Sequence, residues 1–357
     1  MTANHPPSGS TKAVRAHSPL RELTLARLRE FLREPEAVFW SYGFPVLLVI
    51  GLGIAFRNRP VEIIHVDVQE HARAAEVAGT LAAQPDLVVE QCEARSCFER
   101  LRLGKSALLV VPGAPVSYRF DPSRPDSALA RRRVDDVLQR AAGREDALAT
   151  VDEQVTEPGA RYIDFLVPGL LGMNLMGGGL WGVGFVIVDM RVKKLLKRFV
   201  ATPMKRTHFL WSVIGGRIVF TVPELVIILV AGVLLFGVPI RGSLPAIIVL
   251  TLLGGVAFAG LGLLIASRAQ RIETVSGLMN LVMLPMWLLS GIFFSPDRFP
   301  DFMQPLVQVL PLTQLNYALR DVILEGAPLA LQTWRMLALA AWGIVPFGLA
   351  LRWFRWN

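Results

Sequence analysis

Charge and reactive side chains are scarce in this chain of 357 residues: 18% are charged, two are cysteine and five are histidine. The histidines, His5, His17, His65, His71 and His208, are scattered, with no His-Glu-x-x-His pattern and no Cys/His pairs at metal-ligand spacing, which excludes the common zinc sites. No Gly-x-Ser-x-Gly elbow is present, so the usual serine nucleophile is absent too. The stretch "RLGKSALLVV" at 102–111 contains Gly-Lys-Ser, but a phosphate-cradling loop needs another glycine five residues before its Gly-Lys. Glu99 stands there. The glycine cluster from Gly177 to Gly184 lies inside an apolar run with no strand before it or acid after it, which speaks against a dinucleotide site. The chain is therefore expected to catalyse no covalent step, to ligate no metal and to hold no cofactor itself.

Apolar sequence is what the chain has instead. Hydrophobic residues make up 53% of it and the mean hydropathy is positive, high for a soluble protein. Runs at 37–56, 165–188, 242–267 and 274–297, less the terminal Asp297, are free of charge over the roughly 20 residues that cross a bilayer. Two further spans are read at 207–238, interrupted by Arg217 and Glu224, and at 336–351, which is short but flanked by Arg335 and Arg352 placed to snorkel.

Six spans put both termini on one side. Six Lys/Arg precede residue 37, seven lie in 189–210, two in 267–273 and two after 351, against four in the short loops opposite. Both termini are expected in the cytoplasm. The net charge of +8 raises the question of nucleic acid, but the basic residues flank spans and form no stripe, so no nucleic-acid partner is expected. The first apolar run begins 36 residues in and ends at "GIAFRNRP" without small-residue cleavage spacing, so it reads as a retained span.

Residues 1–17 are polar, with Pro, Gly and Ser, and are expected to be disordered. Over 18–36, Leu20, Leu23, Leu28, Phe31 and Leu32 recur at helical spacing while Arg21, Arg27, Arg29 and Arg33 occupy the other faces. This predicts an amphipathic helix along the membrane surface, ended by Pro35. Residues 57–161 lose the apolar runs and read as an α/β domain. Strands are expected in "VEIIHVDV", "DLVVEQCE", "SALLVVP", "VSYRF" and "ALATVDEQV", and helices in "QEHARAAEVAGTLAAQ", "ARSCFERLRLG" and "DSALARRRVDDVLQRAAG". The span count places this domain outside the cytoplasm. Both cysteines, Cys92 and Cys97, fall in it, either as a disulfide or as two buried thiols. The expectation is a predominantly α-helical integral membrane protein: six transmembrane helices, with an extracytoplasmic α/β domain between the first and second and a membrane domain over 162–357.

Polar groups at membrane depth are the functional candidates. Arg217 and Glu224, seven apart, share one helix face at a separation of about 10 Å along the axis, beside Pro223, which can kink it. They either face a substrate path, or Arg217 snorkels to the interface and a neighbouring span caps Glu224. Asn174 and Asn280, in the second and fifth spans, are candidates for the path or for interhelical hydrogen bonds. The glycine-dense second span predicts close helix packing or a broken helix. The loop "DMRVKKLLKRFVATPMKRTHF" sets Leu195, Leu196 and Phe199 among seven basic residues. Anionic lipid would attract it, and so would a cytoplasmic partner that docks on a helix ended by Pro203. Residues 295–330 are too polar to span and predict short helices dipping into the outer leaflet.

An interfacial helix, one span, a large outer domain, five more spans, a basic loop ending in "ATPMKR" and the distal "LLSGIFFSPDRFPDFMQPLVQVLPLTQLNYALRDVILEG" together resemble the permease subunit of ABC-2 (type 2 ATP-binding-cassette) exporters, in particular the efflux branch. Ser290, Gly291, Phe294, Pro296, Pro311, Leu312, Arg320 and Gly326 carry the distal motif, and "DFLVPGLL" at 164–171 adds to it. The loop departs from the family's frequent Glu-Arg-Glu and Gly-Thr-Leu, with Lys193 and Lys194 near the place of the glycine, while Thr202 and Pro203 match.

The resemblance implies a permease of the bacterial cytoplasmic (inner) membrane that exports an amphiphile, such as a drug, a lipid or a polysaccharide precursor. It would pair with a second copy or a related permease, in contact with membrane lipid. ATP and magnesium would act through a separate cytoplasmic ATPase subunit. Within 189–208, Arg191, Lys193, Lys194, Leu195, Lys197, Arg198, Phe199, Thr202 and Pro203 would form the coupling surface, helped by Leu23, Leu28 and Phe31 of the interfacial helix. Phe294, Pro296, Pro311 and Arg320 would gate the outer end. The alternatives are an ion-coupled secondary transporter, with Arg217 and Glu224 as its coupling pair, and a membrane scaffold with an outer binding domain. No internal repeat relates the two halves, which counts against the first.

Overall fold

The computed structural model describes residues 29, 31–57, 63–145, 148, 151, 159, 161–200 and 206–354, with the backbone alone at 57, 199, 200, 206–211 and 214. The tail 1–17, Leu23 and Leu28 of the interfacial helix, most of the last expected strand at 147–155, and Thr202 and Pro203 lie outside the described residues. The chain divides into two compact units, 58–155 and the remainder.

Helix α1, Pro35–Phe56, starts on a proline, whose missing N–H is no loss in a first helical turn. One π-helical turn, Phe39–Gly43, interrupts it.

The unit 58–155 is built from β1 (Ile64–Gln69), α2 (Ala74–Ala82), β2 (Leu87–Cys92), α3 (Ala94–Arg102), β3 (Leu108–Val111), β4 (Ser117–Arg119) and α4 (Pro125–Ala141). The strand order is β2-β1-β3-β4. Strands β2 and β3 run parallel to β1, as helical crossovers through α2 and α3 require, and β4 turns back antiparallel to β3. Strand alternation sorts the two faces. Val66, Val68, Leu108 and Val110 pack against Val77, Ala78 and Leu81 of α2 and Ala130 and Val134 of α4. On the opposite face Leu109 meets Cys92 and Cys97, and the buried Asp67 accepts from Arg100 Nε of α3 at 3.0 Å.

Cys92, closing β2, and Cys97, in α3, form a disulfide with their Cα atoms 5.5 Å apart, so the bonded alternative holds. Gly104, at φ +72°, ends α3, and Lys105 N–H donates back to Arg100 O. Gly-Lys-Ser is therefore the turn from α3 into β3. In the same unit the Arg133 guanidinium, bonded to Asp86 at 2.8 Å, holds that carboxyl below the usual carboxylate range. Burial, with Asp135 beside it, pushes the Tyr118 hydroxyl up to about 12.

The remaining unit continues with α5 (Tyr162–Val192), α6 (Leu195–Val200), α7 (Arg206–Phe236), α8 (Leu244–Ala266), α9 (Ile272–Leu289), α10 (Gln304–Val309), α11 (Pro311–Glu325) and α12 (Thr333–Trp353). Among the described residues six helices are long and apolar enough to cross a membrane: α1, α5, α7, α8, α9 and α12 with its preceding turn. Apolar on every side, α8 sits at the centre, against α5, α7, α11 and α12. Helix α5 is continuous, with a π-helical segment at Leu180–Phe185, so of the two expectations for the glycine-dense span the close-packing one describes it. A Cβ at Gly184 would stand 2.6 Å from Gly262 O of α8, closer than packed atoms come, and one at Gly262 would collide with Gly179 O of α5, so the two helices approach this closely only because both residues are glycine.

The fifth span differs from expectation. The charge-free run continues to Pro296, but the helix stops at Leu289 because the chain turns at Ser290 and Gly291, the latter at φ +73°. Ile292 is then buried within the fold rather than carried along a longer helix. The segment that follows is indeed a set of short helical pieces, Pro296–Arg298, Asp301–Met303, α10 and α11, before α12 begins three residues earlier than its apolar run suggested.

Candidate functional site

At the end of the bundle where α5, α8 and α12 finish, the basic segment forms two short steps. Lys193 and Lys194 make the turn, Lys194 at φ 58°, and α6 follows. Lys193, Lys194, Lys197 and Arg198 are exposed, with Lys193 Nζ 2.8 Å from Asp189, one helical turn back. Leu195 is half-buried and Leu196 buried, fastening α6 to the bundle. Arg191 also points inward: it is buried and donates to Ala266 O at 2.8 Å, to Ser267 O at 3.3 Å and to Ala269 O. The side chain of Phe199 is outside the described part. Phe31 packs its ring 4.2 Å from that of Phe220 and 5.7 Å from that of Tyr42, so the helical residues before α1 are anchored on α1 and α7.

Deeper in the bundle, Arg217 and Glu224 pair with each other. Two parallel hydrogen bonds, Nη1 to Oε1 and Nη2 to Oε2, are both 2.6 Å, and both side chains are buried. Arg217 thus reaches along its own helix toward the membrane centre rather than snorkelling outward. The guanidinium lies on Gly178 of α5, where a Cβ would collide with it. Asn174 donates to Ser41 O at 3.2 Å, joining α5 to α1, whereas Asn280 is exposed on α9 in a row with Leu281 and Leu284. The four polar candidates therefore occupy three separate places.

At the opposite end, Arg320 of α11 donates from Nε and Nη2 to Phe165 O at 3.2 Å each and to Gly291 O, with its guanidinium carbon 3.5 Å from the centre of the Phe165 ring. It ties α5, α11 and the turn after α9. Pro296 is buried beside Gly291, Pro311 opens α11, and Phe294 is exposed. Three polar contacts at this end went unread in the sequence. Asn316 donates to Ser290 O at 2.8 Å, Tyr317 to Asp297 at 2.9 Å, and Asp321 pairs with Arg335. Asp164, in the first turn of α5, accepts from Arg161 and from Gly159 N–H, a capping arrangement that an acid at the third helical position could have signalled.

Residues 125–352 match the family described as "ABC-2 family transporter protein". The chain is 21% identical over 334 residues to the probable multidrug ABC transporter permease YbhS of Escherichia coli (strain K12), covering 86% of this chain and 89% of that one. It is 27% identical over 158 residues to the inner membrane transport permease YadH of the same organism, covering 44% of this chain and 61% of that one. A third relative, ABC transporter G family member 20 of Dictyostelium discoideum, is 25% identical over 174 residues, 48% of this chain and 24% of its own length. The chain thus spans about a quarter of that longer relative. The family match takes in α4, the basic segment and five of the six candidate spans, well over half of the sequence, and the chain accordingly belongs to the ABC-2 family of transporters, as a membrane permease.

Proposed function

We propose that the chain is the permease subunit of an ABC exporter of the bacterial cytoplasmic membrane. It forms the path for an amphiphilic substrate and is powered by a separate ATPase subunit that docks on the basic segment around α6. Both termini and α6 face the cytoplasm, and the α/β unit lies outside. A second copy or a related permease completes the path. ATP and magnesium are held by the ATPase and not by this chain.

The observation that carries this reading is the family match through the five helices that flank the basic segment. The geometry supports it: four cations are exposed, Lys193 and Lys194 on the turn and Lys197 and Arg198 on the short helix that follows, whose apolar side is fixed to the bundle. That is the form of a surface made for an acidic groove rather than of a tail that wanders over lipid. Reversing Lys193, Lys194 and Lys197 to glutamate is expected to abolish co-purification of the partner ATPase subunit, while the permease still elutes as a monodisperse species. Unchanged co-purification would remove α6 from the docking surface.

A further inference from the structure

For an ATPase docked at α6 to move the spans, the segment must be fixed to them. Six residues are too few to hold a helix by themselves. The side chain immediately before the turn supplies the connection. Arg191 is 8% exposed, and the three carbonyls it meets, of Ala266, Ser267 and Ala269, are the last of α8 and the first beyond it. Such carbonyls have no partner within a helix and carry the negative end of its dipole, so a guanidinium is well matched to them. The same guanidinium lies with its carbon 5.2 Å from the centre of the Phe354 ring, at the end of α12. Beside it, Arg268 stacks 5.5 Å over Trp353, so the loop after α8 is itself attached to α12. Further along, α8 and α12 approach so closely that a Cβ at Gly260 would stand 2.7 Å from Gly343 O.

We infer that Arg191 is a positioning residue that ties the basic docking segment to the ends of α8 and α12, so that displacement of the segment is passed to both spans as one body. The inference rests on the docking role given to α6 above. Only arginine has the planar fork that bonds several carbonyls and offers a face to an aromatic ring at once. Lysine keeps the charge and loses that geometry.

The test is a distance measurement on the full chain in lipid nanodiscs, with and without its ATPase. Nitroxide labels replace the exposed Lys197 on α6, in a labelled chain first shown to keep ATPase binding through Lys193, Lys194 and Arg198, and either Arg271, after α8, or Arg352, on α12; the only native cysteines are consumed by the disulfide. With Arg191 in place both distributions should be narrow, and vanadate trapping of the complex should leave them unchanged. In Arg191→Gln both should roughly double in width and shift on trapping, and in Arg191→Lys they should fall between. Phe354→Leu, which spares the carbonyl bonds, should broaden the 197–352 distance alone. This second variant decides the matter where Arg191→Gln fails to fold. Narrow, unshifted distributions in Arg191→Gln, or an unchanged 197–352 distance in Phe354→Leu, would overturn the tie. Failure of the unsubstituted chain to bind the ATPase would instead overturn the docking role, with the distances in the chain alone still reporting on Arg191.

Discussion

Glu224 and Arg217 show how far a single residue's meaning depends on what surrounds it. A charge at the middle of a span has to be neutralised or reach water, and the spacing of seven left open which of the two this helix uses. The deciding residue is on another helix: Gly178 leaves the room in which the guanidinium turns inward to its carboxylate. Breaking one side of a buried pair strands the other, at a cost of about 3–5 kcal/mol. Glu224→Gln is therefore expected to lower the thermal unfolding midpoint of the purified permease strongly. The double variant Arg217→Met/Glu224→Leu, which removes both charges and keeps the volume, should recover most of the loss. Equal midpoints for Glu224→Gln and the unsubstituted chain would contradict the pairing.

Lys194 is a second residue whose setting is visible only in the backbone. At φ 58° it occupies the left-handed region, which costs an L-residue about 1–2 kcal/mol relative to glycine, offset in part by the greater entropy glycine loses on folding. Lys194→Gly should leave the midpoint unchanged or raise it by up to about 1 kcal/mol equivalent. Lys194→Val should lower it.

Among the elements, the spans were legible because bilayer-length apolar runs have few other uses, and α1, α7, α8 and α12 lie within a few residues of where hydropathy put them. Hydropathy registers burial, however, and not helix. It therefore overran the end of α9, where Ile292 is buried in a turn, and it could not anticipate a bend that depends on Gly291. The α/β unit was legible from alternation, which assigned β1 to β4 and α2 to α4. The pairing order was not, nor was the disulfide, because both depend on contacts between distant elements. Of the candidate site, the basic segment was readable as charge, but the inward turn of Arg191 was not, since the carbonyls that receive it lie about 75 residues on.

Within the α/β unit, the bond between Arg133 on α4 and Asp86 just before β2 has a definite pH signature. Because the folded carboxyl titrates below its ordinary value, the bond's contribution is complete above the unfolded value of about 4 and is lost as pH falls through the lower folded value. Asp86→Asn should therefore destabilise the unit at pH 7, by about 0.2–1 kcal/mol as for other partly exposed pairs, and the difference should shrink as the pH is lowered below the unfolded carboxylate value. Amide hydrogen exchange in β1 and β2 of the full chain reads it. A difference that grows on acidification would reverse the assigned sign.

At the scale of the whole molecule, the structure gathers two sets of helix ends. One has Arg191 at its centre, joining α5, α8 and α12. The other has Arg320, joining α5, α11 and the turn after α9. Helix α5 belongs to both, and with α8 it forms a continuous connection from the basic segment to the far end of the bundle. A permease driven by a partner needs such a connection, since the energy enters at one face and the path must open at the other.

The most direct measurement of the central claim is ATP hydrolysis by three samples in the same lipid: this chain alone, the partner ATPase alone, and the two purified together. No hydrolysis is expected from the chain alone, and in the complex a rate that exceeds that of the free ATPase and falls on charge reversal at Lys193, Lys194 and Lys197. Robust hydrolysis by the chain alone, or a complex rate indifferent to those lysines, would contradict it.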